Sequence, residues 1–167
     1  MSRQVQFANN PYVSAGYAKA REGMTLIRPI EIYPGQVLYR FYDSTRAWTP
    51  EEGADGPWWL EYEHFQTVKH FALRHGYSMS YSARLFAAIL FEWSEVNALV
   101  ACRVTRPLQA WKGRGKQVSS TGKDPRDTPT MTPMQSVLEI YQIAIPGLGG
   151  PASIAAHVLS VKDHGAI

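Results

Sequence analysis

The sequence predicts an α+β domain in which helices cover small antiparallel sheets. Apolar segments with strand or helix periodicity follow one another in the order strand, strand, helix, helix, strand, loop, strand. This order lacks the regular strand–helix–strand alternation of a parallel doubly wound sheet. A length of 167 residues, of which 45% are hydrophobic and 19% charged, suits a single domain over residues 1–167 that buries its own core.

Composition excludes several classes of protein. The single cysteine, Cys102, lies in an apolar run, which excludes an intramolecular disulfide framework and predicts a buried, inert thiol. The sequence has no uninterrupted run of about 18 apolar residues, so no membrane span is expected. A net charge of +3 is too small to indicate nucleic-acid binding by itself. We expect a protein made in a cytoplasm, where it stays or from which a dedicated secretion system exports it.

Two strands are predicted in the first quarter of the sequence. Residues 25–33 form an extended segment that Pro29 interrupts, and Pro34-Gly35 turns the chain into the strand VLYRFYD. The residues before them show no clear period. The segment STRAWTPEEGADGP after them has the composition of a surface loop.

Two helices are predicted in the middle of the chain. The segment GPWWLEYEHFQTVKHFALRHG begins as a brief aromatic strand and continues as a helix, because its apolar residues recur at three- and four-residue spacing. Gly76 closes this helix as a left-handed cap. A second helix runs from Ser80, which caps it, to about Trp93.

The rest of the chain alternates between buried and exposed segments. NALVACRVTRPLQAW is a buried strand that ends near Pro107. Residues 112–133 contain almost nothing that could be buried, which predicts a long exposed loop, and such loops are often functional. The chain returns to the core in the strand QSVLEIYQIAIPG, and the tail after it forms either a short helix or a final edge strand.

Arg40 is the first candidate functional residue. Strand alternation places its side chain on the face of Leu38 and Tyr42, opposite Tyr39 and Phe41. An arginine between aromatic neighbours often meets an anion or a carboxylate, because its planar fork suits both. The alternative is an edge-strand arginine whose stem covers apolar surface while its head reaches water.

Glu139 is the second candidate. Alternation groups it with Val137, Tyr141 and Ile143, so one carboxylate interrupts an apolar and aromatic face. A strand carboxylate directed into a cleft can stabilise a developing cation or bind sugar hydroxyls. The alternative is that Glu139 lies at the frayed start of the strand and meets solvent or a lysine.

Other motifs for chemistry are weak. None of the five histidines has another at i+4, and the sequence contains no His-Glu-x-x-His, no nucleophile elbow and no P-loop. The segment WKGRGKQ places Lys112, Arg114 and Lys116 beside Trp111. Such a segment either holds phosphates or single-stranded RNA against an aromatic face or forms a solvated basic turn.

Three segments, in this order, resemble the ADP-ribosyltransferase superfamily, the NAD-cleaving toxins and effectors of bacteria and phages. VLYRFYD resembles the first core strand of that family, GPWWLEYEHFQTVKHFA its second core strand and the following helix, and VLEIYQIAIPG the late strand that starts with the catalytic glutamate. The resemblance implies split antiparallel sheets that form a cleft, flanked by two or more helices. It also implies an enzyme that cleaves the nicotinamide–ribose bond of NAD and transfers ADP-ribose to an acceptor or to water.

The resemblance also implies residue roles. Arg40 would grip the diphosphate or the nicotinamide ribose of NAD, and Glu139 would bind the ribose 2′-hydroxyl and stabilise the oxocarbenium-like state. Residues 112–133 stand where the family places its substrate-recognition loop. The other side chains implied in cofactor binding are aromatic: Tyr42, Trp58, Trp59 and Tyr62.

Departures from the family pattern leave the acceptor open. PWWL at residues 57–60 replaces the Ser-Thr-Ser triplet of the arginine-modifying branch, and Val137 stands where that branch has Gln or Glu. The expected partners are therefore NAD, an unidentified protein or nucleic-acid acceptor and, as the resemblance allows, a neutralising immunity protein.

Two other functions stay open on the sequence. One is a metal-independent ribonuclease toxin that uses His70 or His75 as general base, with Lys112 or Arg114 on the phosphate. The other is a non-catalytic interaction module that uses its five tryptophans and nine tyrosines as a contact surface.

Overall fold

The structure, a computed structural model, describes residues 5–134 and 140–167. The strands in these ranges are β1 (Met24–Ile32), β2 (Val37–Tyr42), β3 (Trp58–Glu61), β4 (Ala98–Val104), β5 (Leu108–Gly115), β6 (Val118–Ser119), β7 (Thr130–Met131), β8 (Tyr141–Ala144) and β9 (Leu159–Ala166). The helices are α1 (Val13–Gly23), α2 (Pro50–Gly53), α3 (Tyr62–His75), α4 (Met79–Ala87) and α5 (Ala155–Val158), with a 3₁₀ turn at Asn10–Tyr12.

Seven strands form one antiparallel sheet in the order β1-β5-β8-β3-β2-β4-β9, and β6 and β7 form a separate ribbon. This confirms the predicted mixture of helices with an antiparallel sheet, although the sheet is larger than expected. The tail supplies both predicted alternatives, since α5 leads directly into the edge strand β9. Within residues 5–134 and 140–167, none of the helices combines the length and the apolar composition that a membrane span requires.

The sheet has a hydrophobic core on each face. On one face Leu38 and Tyr42 of β2 belong to a buried cluster with Trp59, and on the other Tyr39 and Phe41 pack against a cluster built with α3 and α4. The alternation predicted for β2 is therefore confirmed. Burial of each large apolar side chain contributes about 1.5–3 kcal/mol to folding.

Both predicted helices are present, but the second is shorter than expected. Gly76 ends α3 in a left-handed conformation (φ 66°), as predicted. The helix α4 begins after Ser78, whose hydroxyl accepts a hydrogen bond from the Tyr81 N–H at 3.0 Å. It ends before Trp93 because Ala88 adopts a left-handed conformation (φ 51°) that the helix cannot continue.

Two other expectations are wrong, and one helix lies where the sequence showed no period. Pro29 does not interrupt β1, because β1 lies at the edge of the sheet, where a residue without an N–H is tolerated. The first 23 residues include α1, which buries only Ala20 and so has almost no apolar period. Lys112–Gly115 belong to β5, not to a loop. Gly113 allows this pairing, since a Cβ there would lie 2.7 Å from the Thr25 carbonyl oxygen of β1.

Candidate functional site

A cavity opens where β2 and β3 separate. The ladder between these strands ends at the pair Tyr39 and Leu60, after which β2 continues along β4 and β3 continues along β8. The cavity has a volume of about 860 Å³ and is lined on one side by residues 39–43 and on the other by residues 58–60. Cavities of this volume are typical of small-molecule sites.

The remaining walls come from distant parts of the chain. Lys19 and Glu22 lie on α1, residues 87–89 end α4, residues 116–119 follow β5, and Gln142 lies on β8. Because these segments meet only in the folded chain, no single stretch of sequence marks the cavity.

Arg40 bridges the opening between the two strands. Its Nε donates to the Gly53 carbonyl at 3.0 Å, and its Nη1 donates to the Trp58 carbonyl at 3.1 Å. Gly56 makes room for the guanidinium, because a Cβ at that position would lie 2.1 Å from Nη2. The guanidinium therefore satisfies one backbone carbonyl at the end of α2 and one on β3.

The charge of Arg40 has no carboxylate partner within ion-pair distance among residues 5–134 and 140–167. Burial lowers the pKa of Arg40 to about 10, and the more distant Asp55 carboxylate opposes this shift. The side chain is still charged at neutral pH. The guanidinium is hydrogen-bonded to two backbone carbonyls but not neutralised by them, and its planar fork is suited to an anionic ligand.

Two acidic residues of the cavity are already engaged. Asp43 accepts hydrogen bonds from Thr45 and forms an ion pair with Arg46 at 3.5 Å. Burial alone would raise the pKa of Asp43, but the hydrogen bonds that it accepts keep that pKa below its ordinary value. The Oδ1 atom of Asp55 accepts from the Gly149 N–H at 2.9 Å. These carboxylates are therefore held away from the guanidinium of Arg40.

The side chains predicted to bind the cofactor fall into two groups. Those that line the cavity are Arg40, Tyr42, Trp58 and Trp59. Trp59 is also a core residue, 1% exposed, whose Nε1 donates to the Gly56 carbonyl at 2.8 Å. Tyr62 does not line the cavity; it is 60% exposed at the start of α3, and its ring centroid lies 6.0 Å from that of Tyr39.

Glu139, the predicted catalytic carboxylate, lies outside the described residues, and its role stays a prediction. The strand that follows it, β8, lies between β5 and β3. On β8 the side chain of Gln142 lines the cavity, whereas Ile143 is buried in the core. Gln142 has an uncharged side chain and belongs to no motif, so nothing in the sequence marks it as a site residue.

A second polar cluster lies where β3 joins α3. Lys112 forms an ion pair with Glu61, and their side chains are 11% and 23% exposed. The Tyr141 N–H donates to His64 Nδ1 at 3.3 Å, and His64 Nε2 faces a Glu63 carboxylate oxygen at 3.4 Å. Lys112 is thus engaged inside the protein and is not the solvated phosphate ligand that the ribonuclease alternative requires.

The same cluster has the composition of a metal site, because ligand atoms of Glu61, Glu63 and His64 lie within 4.8 Å of one another. A metal-bound histidine normally donates a hydrogen bond through its other ring nitrogen. His64 Nδ1 instead accepts one, so Nε2 carries the proton. The Lys112 ammonium also occupies Glu61. The cluster therefore does not fit a metal ion.

No family model and no curated protein matches the sequence. The structure of Tne2 in complex with Tni2 is similar, with a TM-score of 0.50 and 14% identity over 84% of this chain and 92% of that chain. The structure of Rhs1-CT in complex with its cognate immunity protein RhsI1 has a TM-score of 0.47 and 14% identity over 87% and 84% of the two chains. The likeness to Tne2 shows a shared α+β architecture.

Proposed function

We propose that the protein is an NAD-cleaving enzyme of the ADP-ribosyltransferase type that acts as a toxin or effector. The observation that carries this proposal is Arg40, a cation that faces a cavity of about 860 Å³ without a carboxylate partner in the described residues. NAD offers a diphosphate for the guanidinium and a planar ring for the neighbouring Trp58 indole.

The positions of the three family-like segments support this proposal. They supply β2, β3 and β8, which are adjacent in the sheet, and β8 follows Glu139 by two residues. The fold likeness to Tne2, a protein solved in complex with Tni2, fits an effector that has a protein partner. An immunity protein is the partner we propose, and delivery by a dedicated secretion system is the corresponding route.

The chemistry requires little from the protein beyond positioning and electrostatics. The nicotinamide nitrogen leaves with the electron pair of the glycosidic bond, and the ribose becomes an oxocarbenium-like cation. Arg40 holds the anionic part of NAD, and Glu139 stabilises the positive charge on the ribose. An acceptor nucleophile or water then bonds to the ribose carbon and releases a proton.

The test is release of nicotinamide from NAD by the purified protein, with and without protein and nucleic-acid acceptors. We expect release by the wild type and none by Glu139→Gln, with unchanged thermal unfolding. Arg40→Ala should weaken NAD binding by about 10- to 100-fold, as loss of charged hydrogen bonds predicts. Arg106→Ala removes an exposed arginine and serves as the matched control. A wild type that releases no nicotinamide with any acceptor contradicts the proposal.

A further inference from the structure

We propose that Gln142 recognises the carboxamide of the nicotinamide ring and thereby selects NAD over dinucleotides that lack this group. This inference rests on the proposed function and assigns a specificity-determining residue to the same cavity. Gln142 supplies the polar side chain that β8 directs into the cavity.

Two glycines on β5 leave space for the side chain of Gln142. Gly113 lies directly opposite Gln142 in the β5–β8 ladder. A Cβ on Gly115 would lie 2.9 Å from Gln142 Nε2. The side-chain amide of Gln142 therefore lies against the backbone of β5, and neither glycine covers it with a side chain.

The carboxamide of Gln142 retains most of its hydrogen-bonding capacity. The one hydrogen bond that its side chain makes within residues 5–134 and 140–167 joins Nε2 to the Ala87 carbonyl at 3.5 Å, longer than the usual range of about 2.7–3.2 Å. Among the described residues no donor reaches Oε1. A primary amide has two donor hydrogens and an acceptor oxygen, so Gln142 can both donate to a ligand and accept from it.

Trp58 provides an aromatic surface next to this amide. Trp58 pairs with Ala144 in the β3–β8 ladder, which makes Gln142 its diagonal neighbour, at about 7–8 Å for such positions. The indole is packed against Gly23, where a Cβ would lie 2.8 Å from its Cη2 atom. Both side chains line the cavity. A planar ring that carries an amide can stack on Trp58 and pair with Gln142 through two opposed N–H···O hydrogen bonds.

This arrangement discriminates against a ring that carries a carboxylate. A carboxylate has no hydrogen to donate to Gln142 Oε1, so the two oxygens would repel each other. Sites that satisfy a substrate's hydrogen bonds reject analogues that leave one partner unpaired. Nicotinic acid adenine dinucleotide differs from NAD only in this group and is the matched probe.

The experiment measures dissociation constants of NAD and nicotinic acid adenine dinucleotide by calorimetry, in the Glu139→Gln background so that NAD is not consumed. We expect the parent to prefer NAD by about tenfold or more. Gln142→Met, which keeps the length of the side chain, should lose about tenfold in NAD affinity and less than about twofold for the carboxylate analogue. Gln66→Met makes the same change on α3, away from the cavity, and should alter neither constant.

A second variant keeps the inference testable if Gln142→Met does not fold. Gln142→Glu should retain part of the NAD affinity, since its carboxylate accepts from the amide N–H, and should weaken the analogue further by charge repulsion. Equal losses for both dinucleotides, or no loss for either, in a folded Gln142 variant overturn this inference and leave the proposed function intact. A parent that binds neither dinucleotide overturns the proposed function and this inference together.

Discussion

Arg40 links β2 to β3 through the same guanidinium that lines the cavity. Nε and one N–H of Nη1 donate to the Gly53 and Trp58 carbonyls, so both N–H groups of Nη2 and the second N–H of Nη1 remain for a ligand. A valine at this position would leave those carbonyls without their present donors. The position of Nη2 therefore depends on the loop that holds the other two nitrogens, and that loop includes Gly56.

Gly56→Ala should reproduce much of the effect of losing Arg40. The new Cβ would lie 2.1 Å from Nη2, so the guanidinium must rotate away. We expect NAD affinity to fall by about tenfold or more, the effect of one lost charged hydrogen bond. Gly165→Ala is the control, because nothing lies within 4 Å of its Cβ position and its φ is not positive. Unchanged NAD affinity in Gly56→Ala contradicts the assigned role of Nη2.

His64 should make stability depend on pH. Burial disfavours its charged form and lowers its pKa, and Lys112 adds to this, while Glu63 opposes it. An unfolded histidine binds its proton near pH 6.5. Acid therefore favours the unfolded chain, which binds the proton more tightly. The contribution of neutral His64 to stability is complete above about pH 6.5, and it is lost as the pH falls through the lower pKa that His64 has in the folded protein.

The measurement for His64 is the free energy of unfolding by urea at pH 8 and pH 5. The wild type should lose more stability over this range than His64→Gln, which cannot be protonated. His164→Gln, at an exposed position on β9, should behave like the wild type. An identical loss in the wild type and in His64→Gln would show that His64 does not titrate differently in the folded and unfolded chain.

At the scale of elements, the polar segment after β5 is fixed by carboxylate contacts. Asp127 accepts hydrogen bonds from the N–H groups of Phe91 and Glu92 at 2.7 and 2.9 Å. The Phe91 ring lies between Arg84 and Arg126, whose guanidinium carbons are 3.6 and 4.3 Å from its centroid. The segment that contributes residues 116–119 to the cavity wall is therefore attached to the chain after α4.

Asp127→Ala should release this attachment. Leaving two backbone N–H groups without their acceptor costs about 1–3 kcal/mol each where they are buried, and less where water reaches them. We expect faster hydrogen exchange in residues 116–131 and weaker NAD binding. Asp163→Ala removes an exposed aspartate on β9 and should change neither property. Unaltered exchange in Asp127→Ala would assign the order of this segment to other contacts.

The sequence predicts correctly those helices and strands that are determined by nearby residues in the chain. The helix α3 has an amphipathic period and ends at a glycine, and β4 is a continuous apolar run, so both are found where expected. The end of α4 was not predictable, because Ala88 adopts a left-handed conformation without the usual glycine signal. The last four residues of β5 were also predicted wrongly, because two of them are glycines, which have low strand propensity. They are strand residues here because the neighbouring strands pack too closely for a Cβ.

At the scale of the molecule, the site depends on pairings between distant residues. The late strand β8 is inserted between β5 and β3, so residues 141–144 meet residues 58–59 and 111–114. The family resemblance predicts Arg40 and Trp58 in one NAD site, and both side chains line the cavity. It did not predict that Gln142 and the α1 residues line the cavity. Their positions depend on the face of β8 that Gln142 occupies and on the packing of α1 against the sheet.

Because the cavity is assembled from distant parts of the chain and exists only in the folded protein, NAD bound there should stabilise the folded state. A ligand at about a hundred times its dissociation constant adds about 2.7 kcal/mol to the free energy of unfolding. For a chain of this length each kcal/mol raises the melting temperature by about 2–4 °C. We therefore expect NAD to raise the melting temperature by about 5–10 °C in the Glu139→Gln variant, where NAD is not consumed.

The same melting experiment separates binding in the cavity from general effects of the nucleotide. Adding Arg40→Ala should abolish most of the rise, whereas adding Arg106→Ala should preserve it. A rise of equal size in both double variants would place NAD elsewhere on the protein. No rise in the Glu139→Gln variant at millimolar NAD would contradict a cavity built to bind this cofactor, since selective binding to the folded state must raise the melting temperature.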